Sequence, residues 1–307
     1  MKRLMLLIAL AGAARAQTTD PRAMLRDRLG RDLRAIADDY HGVLAAVIVD
    51  LTDSTRVGVN ENVVLPQGSA IKIPILIELH HQADANPALL AERHAVTAAE
   101  QVAGSGVMQF FTPGSTSISV DDMATLMIAL SDNTATNILI ERVGMANVNR
   151  TLAAMGMSQT RLQRLMIHQV EMVRGQENVS TATEAASIMQ RIATCNLPMS
   201  AASCARLLRT LELPKDEPVR SVIPSEIKVA SKPGDLAGVA TSWAYVELPG
   251  RPFVVTVMTS WGDTEQGHDA IRRIARLALD HFSRLAGATP YGARVPLDVF
   301  PRAQQRP

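Results

Sequence analysis

The chain has little cysteine, only Cys195 and Cys204 among 307 residues, and neither sits beside a histidine at a spacing that suggests a catalytic thiol or a zinc site. Their separation leaves two readings open, a bond that staples a helix–loop–helix corner or two buried thiols. Charge of one sign is also missing. Lys and Arg total 31 against 30 Asp and Glu, a formal net charge of +1, which argues against nucleic acid as a partner and against a disordered chain. The seven histidines show no HExxH or comparable ligand spacing, so no metal and no cofactor are expected. The apolar run Leu4 to Ala13 reaches about half of the roughly 20 residues that a membrane-spanning helix needs. It follows Met1-Lys2-Arg3 and precedes the small-x-small site Ala14-Arg15-Ala16, with no cysteine after it to carry lipid. We therefore expect residues 1–16 to be a secretory signal peptide and the chain to be exported, to the periplasm or beyond.

What is present is ordinary globular material. Hydrophobic residues make up 47%, and the length suits one large domain or two lobes that share a core. Pro21 to Asp39 carries an apolar stripe of Met24, Leu25, Leu29, Leu33 and Ile36, which predicts a surface helix on a core. Gly42 to Leu51 and Thr55 to Val59 predict a hairpin, and so do Gly238 to Glu247 and Pro252 to Ser260. Helical patterns dominate from about Ile71 to Leu208, and a last amphipathic helix spans about Asp263 to Ala286.

Strands near both ends around a helical block predict an α+β fold: one antiparallel sheet flanked by the terminal helices, with an all-helical lobe inserted. The boundaries are 21–65 with 212–287 for the sheet lobe and 66–211 for the helical lobe. Residues 288–307 read as an irregular tail. Apolar helix faces are expected to be core rather than interface, hence a monomer.

Three motifs carry chemistry. Pro66-Gln67-Gly68-Ser69-Ala70-Ile71-Lys72 leads a loop into an apolar helix, which puts Ser69 and Lys72 one turn apart on one face. A serine hydroxyl needs a base within reach, and a lysine serves if its surroundings depress its pKa. Ser131-Asp132-Asn133 follows an apolar helix; there a hydroxyl can relay a proton, an amide can hold a substrate amide and Lys72, and Asp132 suits a helix cap. Lys232-Pro233-Gly234 precedes the strand from Gly238. Its Lys can bind an anionic group, and its Gly lets backbone approach a reacting carbonyl.

The ordered set SxxK, SDN and Lys-x-Gly resembles the class A β-lactamases and penicillin-binding serine hydrolases, from about Pro21 to Leu285. The resemblance implies a β-lactamase/transpeptidase-like fold and hydrolysis of a lactam amide through an acyl-Ser69 intermediate. It implies Ser69, Lys72 and Ser131 as catalytic residues and Asn133 and Lys232 as substrate-binding ones. It also implies an oxyanion hole from the N–H groups of Ser69 and of Asp235, which follows Gly234. A β-lactam or related small acyl compound would be the partner.

Two departures qualify this. Pro233 stands where the family usually carries a hydroxyl residue, and it has neither hydroxyl nor N–H. Met166, in Arg161-Leu162-Gln163-Arg164-Leu165-Met166, stands where the family places its deacylating Glu, and Val170 where an Asn helps to hold the water. A thioether cannot take a proton from water, so release of the acyl group is expected to be slow unless His168, Glu171 or Glu177 substitutes. The alternatives are a related serine peptidase or esterase, or a covalent penicillin-binding protein of sensor type.

Overall fold

A computed structural model describes residues 20–299 of the chain. The expected signal peptide, 1–16, and the last part of the expected tail, 300–307, lie outside the described residues. Helix α1 (Pro21–Asp39) starts with the Asp20 side chain accepting from Arg22 N, and its buried stripe narrows to Leu29 and Leu33. Met24, expected on that stripe, is 59% exposed, because α1 meets the core only over its central turns.

Strands β1 (Val43–Asp50) and β2 (Arg56–Val59) form the first hairpin. Next come β3 (Leu65–Pro66) and a 3-10 turn, Gly68–Ile71, which runs directly into α2 (Lys72–Ala85). The middle of the chain then holds β4 (Arg93–Ala95), β5 (Ser117–Ser119), α3 (Val120–Ala129), α4 (Asn133–Val143), α5 (Met145–Ala154), α6 (Gln169–Val173), β6 (Val179–Ser180), α7 (Ala182–Ala193) and α8 (Ala201–Glu212). Three short strands thus interrupt a block expected to be helical. β4 pairs with β5 and β6 with β3, and each pair closes a loop rather than extending the main sheet.

The chain then returns through β7 (Val229–Leu236), β8 (Val239–Val246), β9 (Phe253–Ser260) and α9 (Thr264–Leu285). The main sheet is antiparallel in the order β2-β1-β9-β8-β7. β8 and β9 are buried along their whole length, since both faces of the sheet are covered. One face packs on α1 and α9 through Leu33, Ile48, Val255, Ile271 and Phe282; the other packs on the helical elements through Val47, Ile73, Ile188 and Trp243.

β7 corrects the sequence reading. Lys232-Pro233-Gly234 was expected to precede a strand and instead lies within one, at the sheet edge. Proline weakens any strand pattern in the sequence, yet an open edge tolerates it where no ladder bond needs its N–H. Residues 288–299 of the expected tail make a bridge between Ala288 and Arg294 and one 3-10 turn, Leu297–Val299. Cys195 and Cys204 are joined in a disulfide, which decides between the two readings of the pair.

Candidate active site

Ser69 lies half-buried in the 3-10 turn, and Lys72, fully buried, is the first residue of α2. Gln67 anchors this turn. Its side chain donates to Leu65 O at 2.8 Å and accepts from Trp243 Nε1 at 2.9 Å, while its carbonyl accepts from Thr241 Oγ1 at 2.9 Å. Buried hydrogen bonds of this kind fix a turn because each would leave an unpaired polar group if broken. No local pattern marks Gln67, Thr241 or Trp243 for this role, since they meet only through the register of β8.

The turn presses on the edge of β7. A Cβ built on Gly234 would lie 2.4 Å from Gln67 O and 2.5 Å from both Ser69 N and Ala70 N, so only glycine permits this approach. Gly68, at φ 48°, faces the same contact: a Cβ there would lie 2.8 Å from Asp235 N. Asp235 pairs with Ala240, whose own N–H turns away to Thr259 Oγ1 at 3.1 Å. The pair is therefore a non-hydrogen-bonded one, and the Asp235 N–H points out of the sheet toward the Ser69 turn. Pro233, two residues earlier on the strand, has the same orientation, so its missing N–H costs the ladder nothing.

Ser131, at φ 53°, occupies the bend between α3 and α4. Lys72 Nζ lies within hydrogen-bond distance of Ser131 O at 2.7 Å, Ser131 Oγ at 3.0 Å and Asn133 Oδ1 at 3.0 Å. Lys232 Nζ reaches the same hydroxyl from the other side at 3.1 Å and its neighbour Pro233 O at 2.8 Å. Ser131 Oγ thus sits between two buried lysines. The bend is held by Asp132, which caps α4 through Ala135 N at 2.9 Å and accepts from Val107 N and Met108 N at 2.7 and 2.8 Å. Among the described residues no hydrogen bond joins Lys72 to Ser69. Catalytic contacts commonly tighten only once substrate is bound.

Burial is the main force on both lysines. It holds Lys72 well below the usual lysine range; the Lys232 charge pushes the same way, and Asp132 opposes them. Lys232 falls to about 7, again by burial first and then by Lys215, against Asp235 and Glu217. A neutral Lys72 carries a lone pair and can accept a proton.

Met166 is 6% exposed and belongs to the core of the helical lobe. Asn137 clamps its backbone, accepting from Met166 N at 2.7 Å and donating to Met166 O at 3.2 Å. Of the three candidate substitutes, Glu177 is spoken for by Arg164, at 2.8 and 3.2 Å. His168 and Glu171 contact one another at the start of α6, a short helix with no buried residue. Val170 is 55% exposed. Among the described residues, no three His, Cys, Asp or Glu side chains are grouped to hold a metal ion, and no helix is long and apolar enough to cross a membrane.

Residues 28–282 match the beta-lactamase enzyme family. The chain belongs to that family. It is 30% identical to a solved beta-lactamase from Sphaerobacter thermophilus DSM 20745, covering 83% of this chain and 97% of that one at a TM-score of 0.75. PBP-A shares the fold at 23% identity, 83% and 96% coverage and a TM-score of 0.77. A class A beta-lactamase from Mycobacterium abscessus does so at 22% identity, 83% and 99% coverage and a TM-score of 0.76. No curated protein sequence matches. The family and the α+β fold read from the sequence therefore stand, and the chain is a beta-lactamase-like hydrolase.

Proposed function

We propose that the chain is a serine β-lactamase-like enzyme that is acylated at Ser69 by β-lactams and releases the acyl group slowly. Lys72 in its neutral form, which burial favours, takes the Ser69 proton, and the alkoxide attacks the lactam carbonyl. The oxygen that becomes negative is held by the N–H groups of Ser69 and Asp235. When the C–N bond breaks, Ser131 Oγ gives its proton to the leaving nitrogen and is resupplied from Lys72. Asn133 positions the substrate amide, and Lys232 attracts an anionic group.

The observation that carries the slow-release reading is Met166, buried and clamped by Asn137 in the loop where a carboxylate would activate water. Glu177 is tied to Arg164, which leaves it a poor substitute. A solved structure of a PBP-A variant is an acyl-enzyme complex with penicillin-G, an adduct of the kind proposed here. Stopped-flow mixing with a chromogenic cephalosporin tests the reading. A burst of one equivalent followed by a much slower steady rate supports it, and rapid steady turnover without a burst rejects slow release.

Pro233 favours a second reading, a related peptidase or esterase, because the site offers no hydroxyl there for a lactam carboxylate. Ester or peptide turnover lost in Ser69→Ala, beside negligible lactam acylation, would select it. We also propose export from the cell, as a monomer. The Cys195–Cys204 disulfide suits an oxidising compartment, and fractionation with size-exclusion chromatography tests both statements.

A further inference from the structure

Thr264 and His268 stand one turn apart on α9 and grip the end of β7. Thr264 Oγ1 donates to Leu236 O at 3.0 Å and accepts from Gly238 N at 3.1 Å. His268 Nε2 lies 2.8 Å from Asp235 Oδ1, and its Nδ1 lies 3.5 Å from Glu265 Oε1. The His268 side chain is 19% exposed, whereas those of Asp235 and Glu265 are 52% and 82% exposed, so the ring is the sheltered member of the group.

The grip falls where the strand most needs one. β7 is an edge strand, and among the described residues no strand neighbours the side that faces Ser69 to fix it. Asp235 nevertheless supplies the N–H that meets the Ser69 turn, and a small displacement of the strand end would misdirect it. The residue also carries a difficulty of its own. A carboxylate on the residue that donates to a developing negative oxygen opposes that charge, unless a donor is bound to the carboxylate.

We propose that His268 is a positioning residue for acylation, holding Asp235 so that its N–H stays aimed at the reacting oxygen and offsetting its carboxylate. This rests on the acyl-Ser69 reading above. A solvated helix histidine with an incidental ion pair is the competing explanation, and it predicts no kinetic effect.

The test is single-turnover acylation of the full chain by a chromogenic cephalosporin, followed by intact-protein mass and paired with thermal melting. His268→Ala should slow acylation at saturating substrate about tenfold, less than the roughly 10²–10³ that loss of a whole oxyanion donor costs. The half-saturating concentration should stay unchanged. His268→Gln keeps a donor at about the same reach and should recover to within about threefold of the parent. Asp235→Ala keeps the main-chain N–H, and in that background His268→Ala should change the rate less than about twofold, since the coupling partner is gone. An unchanged rate in His268→Ala, with or without a lower melting temperature, overturns the proposal. So does equal slowing in the Asp235→Ala background. A parent chain that never gains the acyl mass overturns both this proposal and the reading on which it rests.

Discussion

Gly234→Ala probes the contact on which the site depends. The added Cβ would meet Gln67 O at 2.4 Å and Ser69 N and Ala70 N at 2.5 Å, where ordinary van der Waals contact begins at 3.4 Å. All three are backbone atoms in a turn held by Trp243 and Thr241, so none can swing aside like a side-chain end. Strand and turn must therefore separate by about 1 Å, a displacement that can cost about 10²-fold in rate when it falls on reacting groups. The accompanying overpacking costs about 1–3 kcal/mol, or a melting temperature lower by roughly 3–10 °C. Acylation followed by stopped flow and intact mass, with calorimetry on the same sample, reads both effects. Acylation within twofold of the parent at an unchanged melting temperature would refute the argument that the close approach of β7 builds the site.

Met166→Glu should speed release of the acyl group by about 10²-fold, the low end for general-base catalysis, and should lower the melting temperature because a carboxylate then occupies a 6% exposed core position. Adduct lifetime by intact mass and a thermal melt check the two halves. Because Lys232 sits at about 7, its charge is lost as pH rises through that value. The half-saturating concentration for an anionic lactam should therefore rise between pH 6 and 9, as measured by acylation kinetics across that range. His80 is buried, neither ring nitrogen has a partner among the described residues, and burial holds it at about 4 against an ordinary 6.5. Below pH 6.5 the unfolded chain binds a proton that the folded chain refuses until about pH 4, so stability falls across that window by up to about 3 kcal/mol from this group. His80→Leu should flatten the acid limb of a melting-temperature profile.

The ordered motifs made the family and the α+β fold legible, because three short patterns in one order are rarer than any of them alone. Ser69 and Lys72 could be set on one helix face from spacing, and Asp132 could be read as a cap. Legibility ended where geometry depends on strand register. Lys232-Pro233-Gly234 reads from sequence as lying ahead of a strand, because proline and glycine together erase a strand pattern, although the open edge of β7 accepts both. Gln67 is far in the chain from Thr241 and Trp243, and nothing local announces their meeting. Met166 was recognisable as a departure, but only the fold shows it sealed in the core and fastened by Asn137. The pairing of Glu177 with Arg164 was equally invisible, since it joins the two limbs of one loop.

In the proposed reaction Ser69 becomes acylated and is slow to be freed. Intact-protein mass spectrometry of the parent chain and of Ser69→Ala, sampled from seconds to hours after mixing with benzylpenicillin, tests it directly. The parent should carry an adduct of one intact penicillin mass that persists well beyond the mixing time, and Ser69→Ala should carry none. A parent that shows no adduct and does not consume penicillin, or an adduct that survives in Ser69→Ala, would contradict it.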